Sequence, residues 1–227
     1  NRMYLYIYYK NGFHMVLLFW IMFLYTNDLF LSTIVALKAF SAHFWYHFSY
    51  LYDYNIPRKY NVLKQFVRFT DTGHLASFIY YFFPAFFPIA FNVHFIITFG
   101  HWTGKLLLGM KDMDTATDNT MIMSFQNLFD TLNHSLALIL LTYQMYKDPS
   151  LCENRFNHDS TLYTFMWLYS WFCLIYIPWR LITKDCVYSV LEMNDTSKVL
   201  YTFPIIGLIH VLLVIANMSG RGLCSMI

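Results

Sequence analysis

Apolar residues run through this chain in long blocks separated by short polar clusters, with no alternation of the kind a strand would need. Each block is near the ~20 residues that a helix needs to cross a bilayer. The pattern predicts six spans, at 3–25, 29–52, 69–99, 121–146, 162–182 and 200–218. The first is interrupted at Lys10-Asn11-Gly12, and Thr26-Asn27-Asp28 makes a tight polar turn into the second. Pro57 breaks the basic connection 53–64. The third block is long and holds Pro84 and Pro88; it reads as one kinked helix, with two short re-entrant halves around 84–88 as the other division. Residues 100–110 read as interfacial, with Trp102 and Lys105 suited to headgroup level. The expected fold is therefore all-α: one domain over 1–227, a six-helix transmembrane bundle with both termini on the same side.

Composition agrees with the pattern. The 227 residues are 58% hydrophobic, 21% aromatic and only 12% charged, too apolar for a soluble domain of this size. A net charge of +2 gives no reason to expect nucleic acid as a partner. In the six-span arrangement nine basic residues lie on the side of the termini (Arg2, Lys10, Arg58, Lys59, Lys64, Arg68, Lys147, Arg155 and Arg221). Five lie opposite: Lys105, Lys111, Arg180, Lys184 and Lys198. That bias places both termini on the cytosolic or matrix-equivalent face. Cys152, Cys173, Cys186 and Cys224 show no C-x-x-C spacing, and suggest neither a metal knuckle nor a disulfide framework.

Polar residues inside apolar spans carry the candidate chemistry, because burying an ionisable group in a bilayer is costly. Asp130-Thr131-Leu132-Asn133-His134 opens the apolar run 135–145 and is the chief such stretch. His134 is a candidate general base, and Ser32, Thr33, Ser41, Thr70 and Ser135 are candidate nucleophiles that need one. Ser32 and Thr33 lie one turn inside the second span, which starts on the side where the fourth starts, so their depth allows a meeting with His134. Helix packing around a neutral histidine is the competing reading. His43 and His47, at i and i+4, share a helix face and leave haem ligation with His94 or His101 as a further alternative. The clustered histidine boxes of a di-iron enzyme are missing, and the reading adopted expects no metal and no cofactor.

Three features resemble the androgen-induced-gene and androgen-dependent TFPI-regulating protein family of integral membrane proteins. Leu132-Asn133-His134 is similar to the family's L-N-H at a span entry. Val187-Tyr188-Ser189-Val190-Leu191-Glu192 resembles its W-V-Y-P-hydrophobic-x-E, and the two motifs keep the family's separation. Phe83-Pro84 and Phe30-Leu31-Ser32-Thr33 resemble further family features, so the likeness covers roughly 29–215 and is strongest after Asp130. The resemblance implies six transmembrane helices and hydrolysis of fatty-acid esters of hydroxy fatty acids by an intramembrane threonine and a histidine. It assigns His134 the histidine role and Thr33 the nucleophile; Ser32 directly follows Leu31, so either the register slips by one residue or the nucleophile is Ser32. Asn133 would orient the base or donate to the oxyanion. Cys186 and Ser189 replace the family's Trp and Pro, and 111–120 reads as an insertion. Such drift suits a second reading, a non-catalytic subunit packed against other membrane proteins. Expected partners are therefore membrane lipids, a lipid ester and, in the second reading, other subunits. The location is an endomembrane or plasma membrane by resemblance, or the mitochondrial inner membrane for a subunit.

Overall fold

The computed structural model describes residues 2–48, 63–107, 120–153, 155–184 and 196–227. Among these the chain is all-helical, with seven long helices: α1 (Arg2–Thr26), α2 (Leu29–Phe48), α3 (Phe69–Phe82), α4 (Phe87–Leu107), α5 (Thr120–Lys147), α6 (His158–Thr183) and α7 (Thr196–Cys224). A π-helical turn, Phe172–Tyr176, interrupts α6, and Pro204 lies within α7. Pro84–Leu106, His158–Thr183 and Ile206–Cys224 are each long and apolar enough to cross a membrane.

The polar turn between α1 and α2 forms where it is expected. Asn27 takes the left-handed conformation at φ 52°, which asparagine tolerates better than most residues, and its N–H donates to Phe23 O at 2.7 Å. The Asp28 carboxylate then accepts from Leu31 N at 2.8 Å and caps α2.

The third predicted span is not one kinked helix. Phe83 leaves helical geometry, Pro84–Phe86 makes a 3₁₀ turn, and the chain reverses into α4. Contacts step outward symmetrically from this turn: Tyr80 meets Phe87 at 5.0 Å between ring centroids, and His74 meets His94 at 5.5 Å. That order is the mark of an antiparallel hairpin. Gly73 permits the close approach, since a Cβ there would lie 2.5 Å from Ile97 Cδ1 and 3.0 Å from His94 Cε1.

The hairpin changes the count of helices, from six expected spans to seven long helices, of which three are long and apolar enough to cross a membrane. Phe30 packs edge-on against Tyr80 at 5.4 Å, bringing the α1–α2 turn to the level of the α3–α4 turn. Arg155 donates to Pro84 O, and a Cys152–Cys224 disulfide joins the α5–α6 connection to the end of α7. All of these lie at one end of the bundle, called here the hairpin end. Arg2 begins α1 a full helix length from this end. Among described residues outside the middle of the helices, Arg2, Lys64, Arg68, Lys105, Arg180, Lys184 and Lys198 are at the N-terminal end. Only Lys147, Arg155 and Arg221 are at the hairpin end. The disulfide also corrects the cysteine reading. Spacing rules detect local frameworks, whereas these partners are 72 residues apart and are joined by tertiary packing.

The core centres on Phe30, Tyr80, Phe87, Phe91, Leu141, Met145 and Phe156. Phe156 seats on Gly220, where no larger residue would leave room for its ring. A polar seam holds the outer helices to α4: Asn92 Nδ2 donates to Thr164 Oγ1 (3.2 Å) and Asn217 Oδ1 (3.3 Å), and Ser160 Oγ donates to Asn217 Oδ1 (2.7 Å). Hydrogen bonds are the natural adhesive here, because burial against lipid supplies little net drive for helix association.

Candidate functional site

Three helices converge on His134. The α5 helix supplies Asp130 and His134 at i and i+4, one turn apart on one face. The last turns of α4 supply Thr98, His101, Trp102 and Lys105, and the first turn of α3 supplies Thr70. Two bonds hold α4 against α5: Thr98 Oγ1 donates to His134 O at 2.6 Å, and Trp102 Nε1 to Ser135 Oγ at 3.0 Å. At 1.5 Å of rise per residue, His134 lies about 20 Å from the hairpin end of α5, deep in the bundle.

The bonding around the ring decides its tautomer. His134 Nδ1 lies 2.7 Å from Asp130 O and 3.2 Å from Asp130 Oδ1. A backbone carbonyl can only accept, so Nδ1 carries the proton. In the neutral imidazole Nε2 is then the acceptor, and it faces Thr70 Oγ1 at 3.1 Å, inside the buried core. Threonine, histidine and aspartate thus stand in the order of a hydroxyl–base–carboxylate relay. The outer carboxylate oxygen of Asp130 is held by Lys105 Nζ at 2.9 Å, with His101 Nε2 at 3.4 Å. The His101 ring lies flat on that of His134, with centroids 3.9 Å apart and planes 9° apart. His101, Asp130 and His134 are also the described residues able to hold a metal ion together, with ligand atoms within 4.8 Å of one another.

Beside this site is a second polar layer. Lys38 Nζ pairs with Asp71 Oδ1 at 3.3 Å, and His74 Nδ1 lies 4.0 Å from the same oxygen. Asp71 Oδ2, both nitrogens of His74 and of His94, Ser77 Oγ and Asn133 Oδ1 are buried without a hydrogen-bond partner. Such atoms cost about 1–3 kcal/mol each, so this layer is an expensive part of the fold.

Of the residues singled out from sequence, His134 is at the centre. Ser32 and Thr33 are buried, but their hydroxyls donate one turn back to Asp28 O (2.6 Å) and Leu29 O (2.8 Å). The hydroxyl that reaches His134 is that of Thr70, one of the five candidates. Asn133 is buried but sits about 100° around α5 from His134, as neighbours on a helix do, and makes no described bond to Thr70 or His134. His94 faces His74 and His101 faces His134; the side chains of His43 and His47, with which one of them would share a haem, lie outside the described residues. So do Cys186, the 187–192 motif and the insertion 111–119. Asp130 was not assigned a role from sequence, although its i, i+4 spacing to His134 is a usable signal. Lys105 reads only as interfacial and His101 only as an alternative haem ligand, because their partner belongs to another helix.

Comparison of the chain with protein-family models, with curated proteins and with solved structures finds no match. The family likeness therefore rests on the motifs quoted above.

Proposed function

We propose that this chain is a membrane-embedded lipid ester hydrolase in which Thr70 is the nucleophile, His134 the general base and Asp130 the residue that orients it. The observation that carries the reading is the 3.1 Å contact of Thr70 Oγ1 with His134 Nε2, on a ring whose other nitrogen is tied to Asp130. The resemblance supplies the reaction class and the threonine–histidine chemistry; the geometry moves the threonine from position 33 to position 70.

Thr70 Oγ attacks the ester carbonyl carbon as its proton passes to His134 Nε2. The tetrahedral intermediate collapses and expels the alcohol portion, whose oxygen takes that proton from His134. Water then attacks the acyl-threonine, again giving a proton to His134, and the free acid leaves with the Thr70 hydroxyl restored. Thr70 lies in the first turn of α3, where backbone N–H groups point out of the helix and its dipole favours an oxyanion. Acyl chains would lie against the exposed apolar faces of α6 and α7.

The chain sits with its basic N-terminal end toward the cytosol or matrix and its disulfide-bearing hairpin end toward an oxidising compartment. The excess of basic residues and the disulfide support that orientation independently.

The test is release of fatty acid from a long-chain ester of a hydroxy fatty acid by the purified protein in lipid nanodiscs. Thr70→Ala and His134→Ala each lose at least about a hundredfold, the scale of removing a nucleophile or its base, while Thr70→Ser keeps activity. Full activity in folded Thr70→Ala overturns the assignment. The rival, a non-catalytic subunit, draws on the exposed apolar face of α1 that carries Phe13, Leu17, Trp20 and Leu24. It requires co-purification in fixed stoichiometry with a larger complex and no turnover.

A further inference from the structure

We propose that His101, Asp130 and His134 form a site for a divalent transition-metal ion such as zinc, and that its occupation switches the hydrolase off. The inhibitory part rests on the proposed role of His134; the binding part does not.

The stacked imidazoles present their edges to one carboxylate, His134 Nδ1 3.2 Å from Asp130 Oδ1 and His101 Nε2 3.4 Å from Asp130 Oδ2. The three ligand atoms lie within 4.8 Å of one another, so an ion with bonds of about 2.0 Å is held once the two nearly parallel rings tilt toward it. Two nitrogens and one carboxylate favour zinc, cobalt or a similar ion over magnesium or calcium, which prefer all-oxygen shells. The ligands come from two helices pinned together by the Thr98 and Trp102 bonds, and ligation requires the His134 ring to give up its Nδ1–H bond to Asp130 O.

Lys105 is the built-in competitor. Its ammonium sits 2.9 Å from Asp130 Oδ2, on the last turn of α4, where the side chain can swing outward. An incoming ion must displace it, so Lys105 sets the threshold for occupation. The consequence for catalysis follows from the tautomer. An ion on Nδ1 takes the place of the proton shared with Asp130, and the neutral ring then carries its one proton on Nε2. That nitrogen now donates to Thr70 Oγ1 and cannot accept from it.

The experiment uses chelator-stripped full-length protein in detergent, titrated with cobalt(II) and then with zinc. The expected result is one cobalt per chain with the visible absorption of a tetrahedral site, bleached by zinc. His101→Phe keeps a ring stacked on His134 but removes the ligand, and should abolish the signal in a protein with unchanged thermal unfolding. Lys105→Met should bind several-fold more tightly than wild type. No stoichiometric binding by wild type, or equal binding by His101→Phe, overturns the site. Ester hydrolysis is read separately. The turnover that metal-free His101→Phe retains should be insensitive to zinc; His101-dependent binding that leaves wild-type turnover unaffected overturns the switch. If wild type binds zinc through His101 yet cleaves no ester, the metal site stands and the hydrolase reading falls.

Discussion

Thr70 and Thr33 are both buried, but Thr33 lies one turn from the hairpin end while Thr70 lies at the depth of His134, and their hydroxyl protons go to different places. Thr33 donates to its own helix, a bond that holds the hydroxyl away from a base; Thr70 faces the one imidazole nitrogen able to accept. Thr33→Ala and Ser32→Ala should therefore leave ester turnover unchanged, and loss of turnover in either folded variant would return the nucleophile to α2. Asp130→Asn should reduce kcat less than His134→Ala does, because the Asp130 backbone carbonyl still holds Nδ1–H at 2.7 Å. The Lys38–Asp71 pair makes a prediction about stability. Lys38→Met strands the fully buried Asp71 carboxylate and should cost about 3–5 kcal/mol, while Lys38→Met/Asp71→Leu recovers most of it. Denaturant unfolding in mixed micelles measures both. His134 was legible from sequence because an ionisable residue at a span entry is conspicuous. Thr70 was not, because it meets His134 across 64 residues and only the fold selects it from the other hydroxyls.

Helix ends set by local chemistry were legible, and those set by packing were not. Thr26-Asn27-Asp28 announces its turn, and α1 and the start of α2 fall where the apolar blocks put them. Pro84 and Pro88 mark an interruption, but a kink and a reversal look alike in hydropathy. What decides for the hairpin is that α3 and α4 fit face to face across Gly73, Ala76 and Ala90, small residues that bury completely or admit a neighbour's side chain. Gly73→Ala should accordingly destabilise by about 1–3 kcal/mol, since Ile97 and His94 must yield to the new methyl. A single kinked helix would leave that position tolerant, so thermal unfolding of this variant tests the hairpin itself. Asn217 is the other point of leverage, bridging α4, α6 and the Asn157 cap through Asn92, Ser160 and Asn157 O. Asn217→Leu should cost about 1–3 kcal/mol, the scale of leaving buried partners unsatisfied.

At the scale of the whole molecule, the reversal at Pro84 divides one apolar block into two helices, so that seven long helices stand where six spans were expected. Composition revealed the class of protein, all-helical and apolar, but orientation depends on the parity of the crossings, and hydropathy alone left that parity open. Tags at the two termini should be accessible from opposite faces of sealed vesicles. Cys152 and Cys224 should react with a thiol reagent only after reduction, and only from the side of the C-terminal tag. Both tags on one face would restore the even-numbered topology.

The most direct test of the hydroxyl–histidine–aspartate reading is covalent. Detergent-purified protein is treated with a fluorophosphonate probe, and the modified peptide is mapped by mass spectrometry in wild type, Thr70→Ala, Thr33→Ala and His134→Ala. The expected result is one adduct on Thr70, retained in Thr33→Ala and absent from the other two variants. An adduct on another residue, or none on well-folded wild type, would contradict the account.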